Sequence, residues 1–195
     1  MYTRYVKRML DFLLSLLALI ILSPVMLLVA ILVKCTSKGP VLFRQKRIGI
    51  DKSHFTIYKF RTMRSDTPAD MPTHMLSGAQ SHITRIGGFL RKSSLDELPQ
   101  LFNILKGDMS IVGPRPALWN QADLIAERDK YKANDVLPGL TGLAQVSGRD
   151  ELPIPQKAKL DGEYVKNISF KTDALCVLKT AMSVMKSDGI VEGKK

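Results

Sequence analysis

Cysteine and histidine are scarce in this chain of 195 residues, with two of the first and three of the second. Cys35 and Cys176 stand far apart and outside any C-x-x-C spacing. That excludes a disulfide framework and a cysteine-based zinc site, and it fits a reducing, cytoplasmic compartment. His54, His74 and His82 lack metal-ligand spacing of the H-E-x-x-H kind, so each reads as a surface or loop histidine. Acidic residues are also in deficit: 18 Asp and Glu against 29 Lys and Arg give a formal charge of +11 and a pI near 9.7. This balance favours anionic partners, namely nucleic acid, anionic lipid headgroups or phosphorylated substrates. A helix-turn-helix, an aromatic-laced basic strand and a zinc motif are all missing, so nucleic acid is set aside. No repeat is visible, and about 155 residues follow position 40, enough for one globular domain with its own core.

Long apolar sequence, by contrast, is plentiful at one end. Phe12 to Val33 is a run of 22 residues without charge, with Ser23-Pro24 at its middle and basic residues at both ends. Such a run rises roughly 33 Å as a helix, about one hydrocarbon core, so its length permits a full crossing. Pro24 removes the amide that would bond the Ile20 carbonyl, which predicts a kink and leaves the Ser23 hydroxyl placed to serve a freed backbone group. Arg4, Lys7 and Arg8 precede the run; Lys34, Lys38, Arg44, Lys46 and Arg47 follow it. Because Lys and Arg favour the cytoplasmic side, a straight span strands one cluster outside, whereas a re-entrant hairpin keeps both inside. Residues 1–40 are therefore expected to form a re-entrant membrane helix broken at Ser23-Pro24. A straight, kinked anchor stays open on these residues alone, while a cleavable signal peptide fits poorly because the run is long and no A-x-A site ends it.

Residues 41–63 read as a β-hairpin, two β-rich runs joined through Gly49-Ile50-Asp51-Lys52. Residues 64–82, polar and with Pro68 and Pro72, read as a loop that covers a site. Ile83, Ile86, Phe89 and Leu90 recur at helical spacing and end in Arg91-Lys92, which suits a helix on a membrane surface. Residues 117–133 read as a charged, partly amphipathic helix. Residues 173–186 place Leu175, Leu178, Met182 and Met185 on one helical face, suited either to the core or to the headgroup region.

The most chemical stretch is Ser93 to Asn103, where Asp96-Glu97 precede Leu98-Pro99 and an apolar run. Proline fits a helix only in its first turn, so Asp96 reads as an N-cap with Glu97 just inside, both complementing the helix dipole. The same acids can also attack phosphorus or hold a divalent metal. Gly113-Pro114-Arg115-Pro116 sets an arginine in a stiffened turn, and Pro138 to Arg149 is a glycine-punctuated loop containing Gln145 and ending in another arginine. Arginine holds phosphate with planar, bidentate donors.

These motifs resemble the monotopic phosphoglycosyl transferases, the bacterial sugar transferase family that starts glycoconjugate assembly on polyprenyl phosphate. The resemblance runs in order through Ser23-Pro24, Tyr58 to Met63, Ser94 to Gln100, Lys106 to Ser110, Gly113 to Pro116 and Pro138 to Arg149, nearly the whole chain. It implies an α/β mixed fold with a re-entrant helix-hairpin, a small β-hairpin, a catalytic helix and interfacial amphipathic helices. Residues 41–195 are then a cytoplasmic catalytic domain at the bacterial inner membrane. The implied reaction moves a phosphosugar from a UDP-sugar to undecaprenyl phosphate with release of UMP, using Mg²⁺. Asp96 matches the nucleophile that forms an aspartyl phosphosugar, and Glu97 its metal-binding partner, with Asp96 beside it at the metal. Arg115, Arg149, Pro114, Pro116 and Gln145 match nucleotide and phosphate contacts, and Arg91 suits a lipid phosphate. Lys59 and Asp161 are weaker candidates, since either suits a structural ion pair. The segment Asp150 to Lys159, with Pro153 and Pro155, departs from the family's pattern and leaves the sugar contacts open. Larger relatives carry further N-terminal transmembrane helices and another domain, so this chain is expected to be a minimal catalytic unit among inner-membrane phospholipids. The sugar, the pathway and a homodimer through the anchor are left open. Two other readings stay open: a noncatalytic lipid-binding scaffold in which Asp96-Glu97 only caps a helix, and an enzyme in which Asp96 is a general base for direct lipid attack.

Overall fold

A computed structural model describes residues 2–68, 79–148 and 152–186. A π-helical turn, Tyr2–Val6, leads into α1, Lys7–Thr36. The chain then forms β1 (Leu42–Ile48) and β2 (His54–Phe60), α2 (Ala79–His82), α3 (Arg85–Lys92), α4 (Gln100–Lys106) and β3 (Ser110–Val112). It continues as α5 (Ala122–Asp129), β4 (Gly139–Thr141), α6 (Leu143–Val146), α7 (Ile154–Lys166) and α8 (Phe170–Lys186). The fold is mixed α/β, and both sheets among the described residues are two-stranded. The expected hairpin is present: β1 and β2 pair antiparallel from Leu42 opposite Phe60 to Ile48 opposite His54. Its turn is a short 3-10 helix, Ile50–Lys52, in which Asp51 and Lys52 both take positive φ. The parallel pair of β3 and β4 was not anticipated, since three-residue strands give no alternation to read.

Helix α1 continues through Pro24 instead of parting into two helices. The Ser23 hydroxyl donates to the Ile20 carbonyl at 2.8 Å, serving the acceptor that Pro24 deprives of its amide. One face of α1 carries the buried Asp11, Ser15, Val29 and Val33, spaced as a helical stripe. Val29 and Val33 pack with Phe60 of β2 and Leu90 of α3, and Ala18 and Leu19 with the Ile57, Leu101, Ile104 and Met109 core. The other face, with Leu13, Leu17, Ile20, Leu27 and Ile31, is exposed. That much apolar surface on one helix marks contact with something other than water. Helix α8 behaves likewise: Leu175, Leu178 and Met182 are exposed, so this face is not core, while Cys176 on the opposite side is buried. The Met185 side chain lies outside the described residues.

Two expectations need correction. The helix expected over 117–133 is confined to Ala122–Asp129, because the Leu118 amide donates to the Gln121 side chain at 2.9 Å and Lys132 takes positive φ beyond its end. Asp96 does not cap α4. It sits in a separate 3-10 turn, Leu95–Glu97, entered through Ser94 in the left-handed region, and α4 begins only after Pro99.

Buried Asn103 fixes α4 against β2. Its side-chain amide donates to the Thr56 carbonyl at 2.7 Å and its oxygen accepts the Tyr58 amide at 3.1 Å. One asparagine thereby serves strand groups on the edge that β1 does not cover. Replacing it with alanine strands both groups in the core, and we expect Asn103→Ala to lose about 3 kcal/mol. A fall in Tm of roughly 5–10 °C in detergent-solubilised protein is the readout, and an unchanged Tm excludes the clamp.

Candidate active site

Three chain segments meet at one carboxylate. Lys59 projects from β2, Asp96 and Glu97 from the 3-10 turn, and Arg115 from the loop after β3. Glu97 Oε1 accepts from Lys59 Nζ at 2.7 Å and from Arg115 Nη2 at 2.9 Å. Burial raises the Glu97 pKa, but Arg115 and Lys59 outweigh it and hold the carboxyl far below the usual range. Asp96 goes the other way. Only 8% exposed, it is pushed up to about 6 by burial first and by the Glu97 charge second, against the opposing pull of Lys59, Arg91 and Arg115. Burial likewise lowers Lys59, and Glu97 opposes that shift.

The loops that carry these groups are held by close backbone contact. A Cβ on Gly139 would lie 2.1 Å from the Gly113 nitrogen, and one on Gly142 2.1 Å from the Gly113 oxygen. Only glycine admits that approach, so the Gly113 amide reaches the Thr141 carbonyl at 2.8 Å and the Gly139 amide reaches the Pro114 carbonyl at 2.8 Å. The glycines of the 138–148 loop thus press it against the Pro-Arg-Pro turn. Behind Arg115, the guanidinium of buried Arg128 donates Nε and Nη2 to Asp161 Oδ2 at 2.8 and 2.6 Å, and Nη1 to the Arg115 carbonyl at 2.9 Å. From β1, Arg47 Nη1 donates to the Pro116 carbonyl at 2.9 Å.

A cavity of about 1360 Å³ opens over these groups and is lined by Lys59, Asp96, Glu97, Arg91, Arg115 and Gln145 among others. Among the described residues nine arginine and lysine side chains line it against two carboxylates. Low-dielectric walls of one sign focus potential toward anions. Arg91 Nε donates to Thr62 Oγ1 at 3.0 Å, which holds its side chain at the cavity wall. α3 reaches that wall because a Cβ on Gly87 would fall 2.0 Å from the Thr62 oxygen.

Of the residues singled out by sequence, Lys59, Asp96, Glu97, Arg91, Arg115, Pro116 and Gln145 share this cavity. Pro114 serves through its carbonyl, as the acceptor of the Gly139 amide. Asp161 stands behind Arg115 in an ion pair with Arg128, not with Lys59, and does not line the cavity. Lys59 is paired too, but with Glu97 and at the cavity. Gln145 holds the loop by donating Nε2 to the Leu140 carbonyl at 2.9 Å, while its buried Oε1 has no partner among the described residues. Arg149 and His74 lie outside the described residues. Sequence reasoning passed over Arg128 and read Arg47 only as part of the basic flank of the apolar run. The signal for Arg128 was its place one turn after Leu124, a charge on the apolar side of α5 where both are buried.

Among the described residues no cluster of three or more acidic, histidine or cysteine side chains could cage a metal. The Asp96 carboxylate and Glu97 Oε2 nevertheless face the cavity with no hydrogen-bond partner among the described residues. Two such carboxylates suit Mg²⁺, which uses one or two acids and takes its remaining ligands from water and phosphate.

Residues 2–187 match the family model described as bacterial sugar transferase. The uncharacterized sugar transferase EpsL of Bacillus subtilis is 39% identical over 184 residues, covering 94% of this chain and 89% of that protein. The UDP-glucose:undecaprenyl-phosphate glucose-1-phosphate transferase of Xanthomonas campestris pv. campestris is 40% identical, over 92% of this chain and 38% of its own length. The undecaprenyl-phosphate galactose phosphotransferase of Salmonella typhimurium is 37% identical, over 96% of this chain and 42% of its own. The chain spans most of the first relative and under half of the other two. The match along nearly its whole length establishes that this chain belongs to the bacterial sugar transferase family.

Proposed function

We propose that this protein transfers a phosphosugar from a UDP-sugar to undecaprenyl phosphate at the cytoplasmic face of the inner membrane, releasing UMP. The observation that carries the proposal is the unequal state of two adjacent carboxylates. Glu97 is pinned and ionised by two cations, while Asp96 is buried, unpaired by any hydrogen bond among the described residues, and faces a basic cavity. A structural cap would be hydrogen-bonded to backbone amides. A carboxylate nucleophile needs its oxygen uncommitted. The Xanthomonas and Salmonella relatives are named for transfer of glucose 1-phosphate and galactose phosphate with undecaprenyl phosphate, which supports the substrate pair.

In this reading Arg115 grips the donor diphosphate from one side and holds Glu97 from the other. An Asp96 oxygen attacks the β-phosphorus, the bond from that phosphorus to the bridging oxygen breaks, and UMP leaves with that oxygen. An oxygen of undecaprenyl phosphate, steadied by Arg91, then attacks the same phosphorus and expels the Asp96 oxygen. The product is undecaprenyl diphosphosugar with Asp96 restored. Lys59 keeps Glu97 turned away from the attacking oxygen. Glu97 and Asp96 would hold Mg²⁺, which when bound would neutralise the diphosphate charge.

The N-terminal helix supports a monotopic placement. Its start and its end are both tied to the same domain: Lys7 pairs with Asp173 at 2.7 Å, and Arg61 donates to the Ser37 carbonyl at 2.8 Å and to that of Lys38. A straight crossing would carry one of these ends to the opposite compartment. The exposed faces of α1 and α8, with Phe89 and Phe102, would then rest in the interface and bring the dyad to the acceptor's phosphate.

Incubating wild type with Mg²⁺, undecaprenyl phosphate and a panel of UDP-sugars should release UMP and leave a phosphosugar adduct visible by intact mass. Asp96→Asn should lose turnover by at least about a thousandfold and carry no adduct. Equal UMP release by the variant removes Asp96 from the mechanism, and turnover without an adduct points to direct lipid attack. The same substitution should stabilise the metal-free protein. With its pKa raised from 3.8 to about 6 on folding, Asp96 binds more protons folded than unfolded. Its ionisation therefore opposes folding, not at all below about pH 4 and fully above about pH 6, by roughly 2–3 kcal/mol. In EDTA, the Tm advantage of Asp96→Asn over wild type should grow between pH 4 and 7. A constant gap would rule out the strained carboxylate. For topology, exposed Cys35 and an engineered Thr3→Cys should both resist an impermeant maleimide added outside spheroplasts and both react after lysis. Labelling of either one from outside would establish a full crossing.

A further inference from the structure

The short strand β3 leads directly into Gly113-Pro114-Arg115, and its outer edge is served by the membrane helix. Asp11 lies one residue before the apolar run, is 3% exposed, and accepts the Ile111 amide on Oδ1 at 2.9 Å. β4 pairs on the other side of β3, so this amide would otherwise be an unsatisfied donor at a buried edge. One residue on, the Val112 carbonyl meets the phenol of Tyr164 at 2.9 Å, and the same phenol lies 2.8 Å from Asp173 Oδ1. Its single proton is shared between those two acceptors. Asp173 Oδ2 accepts from Tyr2 at 2.7 Å and from Lys7 at 2.7 Å, both at the start of the anchor. Two polar lines therefore run from the first turns of the anchor to consecutive residues of β3. From there the chain needs only three residues to reach the guanidinium on Glu97.

We propose that Asp11 and Asp173 are positioning residues that transmit the seating of the N-terminal helix to Arg115 through β3, so that donor grip depends on the anchor being in place. Among the described residues β3 has β4 as its single strand partner, so its other edge is set by these side-chain contacts. Neither acid is among the residues that line the cavity, so each would act on the site through β3. The kinetic part of this inference rests on the transferase reading; the structural part does not.

The test uses the full chain in lipid nanodiscs with Asp11→Ala, Asp11→Asn and Tyr164→Phe. Hydrogen exchange over residues 110–116 reports the strand without reference to activity. Asp11→Ala should speed exchange there and not in β1 and β2, and should raise the KM for UDP-sugar about tenfold with kcat changed less than about twofold. Asp11→Asn keeps an oxygen for the Ile111 amide and should recover both. Tyr164→Phe should reproduce the alanine variant. Uniform acceleration of exchange with KM unchanged would reduce these residues to general stability and overturn the inference, as would equal defects in the alanine and asparagine variants. Absence of turnover by wild type with every UDP-sugar overturns the transferase reading instead, and the exchange pattern over 110–116 still decides this one.

Discussion

Two cations on one carboxylate oxygen hold this site together. Lys59, Glu97 and Arg115 come from segments that share no secondary structure, and their meeting at Glu97 Oε1 fixes the hairpin, the 3-10 turn and the Pro-Arg-Pro loop relative to each other. A single surface pair would contribute little. Here Lys59 and Glu97 are both mostly buried, and removing either cation would leave a desolvated charge behind. The arrangement also sorts the two acids. Because Glu97 takes the cations, Asp96 is left with burial and a neighbouring negative charge, and the pair diverges as functional carboxylate pairs do.

The second constraint is that one helix serves two solvents. α1 gives the domain part of its core through Val29 and Val33 and leaves its opposite, apolar face exposed, the face that the proposed placement sets in the membrane interface. A helix that only crossed a membrane would have no reason to carry Asp11 and Ser15 as buried polar residues on the domain side. A helix that only completed a core would not expose Leu17, Ile20 and Leu27. The composition of the run reports the exposed apolar side, and the small and polar residues at Asp11, Ser15 and Ala18 report the protein-facing one. Helix–protein contact in lipid favours such residues because close approach replaces the missing hydrophobic force.

This division explains what was legible in the sequence. Period-2 alternation and a turn signal disclosed the β1–β2 hairpin, and a 22-residue apolar run disclosed α1. The dyad, Lys59 and Arg115 were legible through motif resemblance, because each sits in a short segment whose local chemistry is unusual. The β3–β4 pair was not, since it is made by glycine-permitted approach between residues about thirty apart, and no local pattern encodes a meeting. The misplacement of Asp96 as an N-cap has a similar cause. Pro99 does stand at a helix entrance, but the preceding turn closes on itself through the left-handed Ser94, which detaches the acids from the helix they precede. Arg128 was missed because a buried arginine in a charged helix looks like a solvated one until its partner, Asp161, is known.

With sheets of only two strands, something other than strand pairing has to hold the loops that carry the chemistry. In this protein buried polar clamps do it: Asn103 between α4 and β2, Arg128 and Asp161 behind Arg115, Asp11 and Asp173 at the edges of β3. Such clamps add little net stability over well-packed apolar residues, because desolvation offsets most of what the hydrogen bonds return. What they add is a fixed geometry, since a hydrogen bond holds its partners to a narrow range of distance and angle and an apolar contact tolerates many arrangements. That distinction matters most at an interface where one face of the fold is fluid lipid and cannot define a position. Under the proposed reaction, in which one carboxylate oxygen has to meet one phosphorus between a soluble donor and a lipid acceptor, directional contacts do more for the site than additional core.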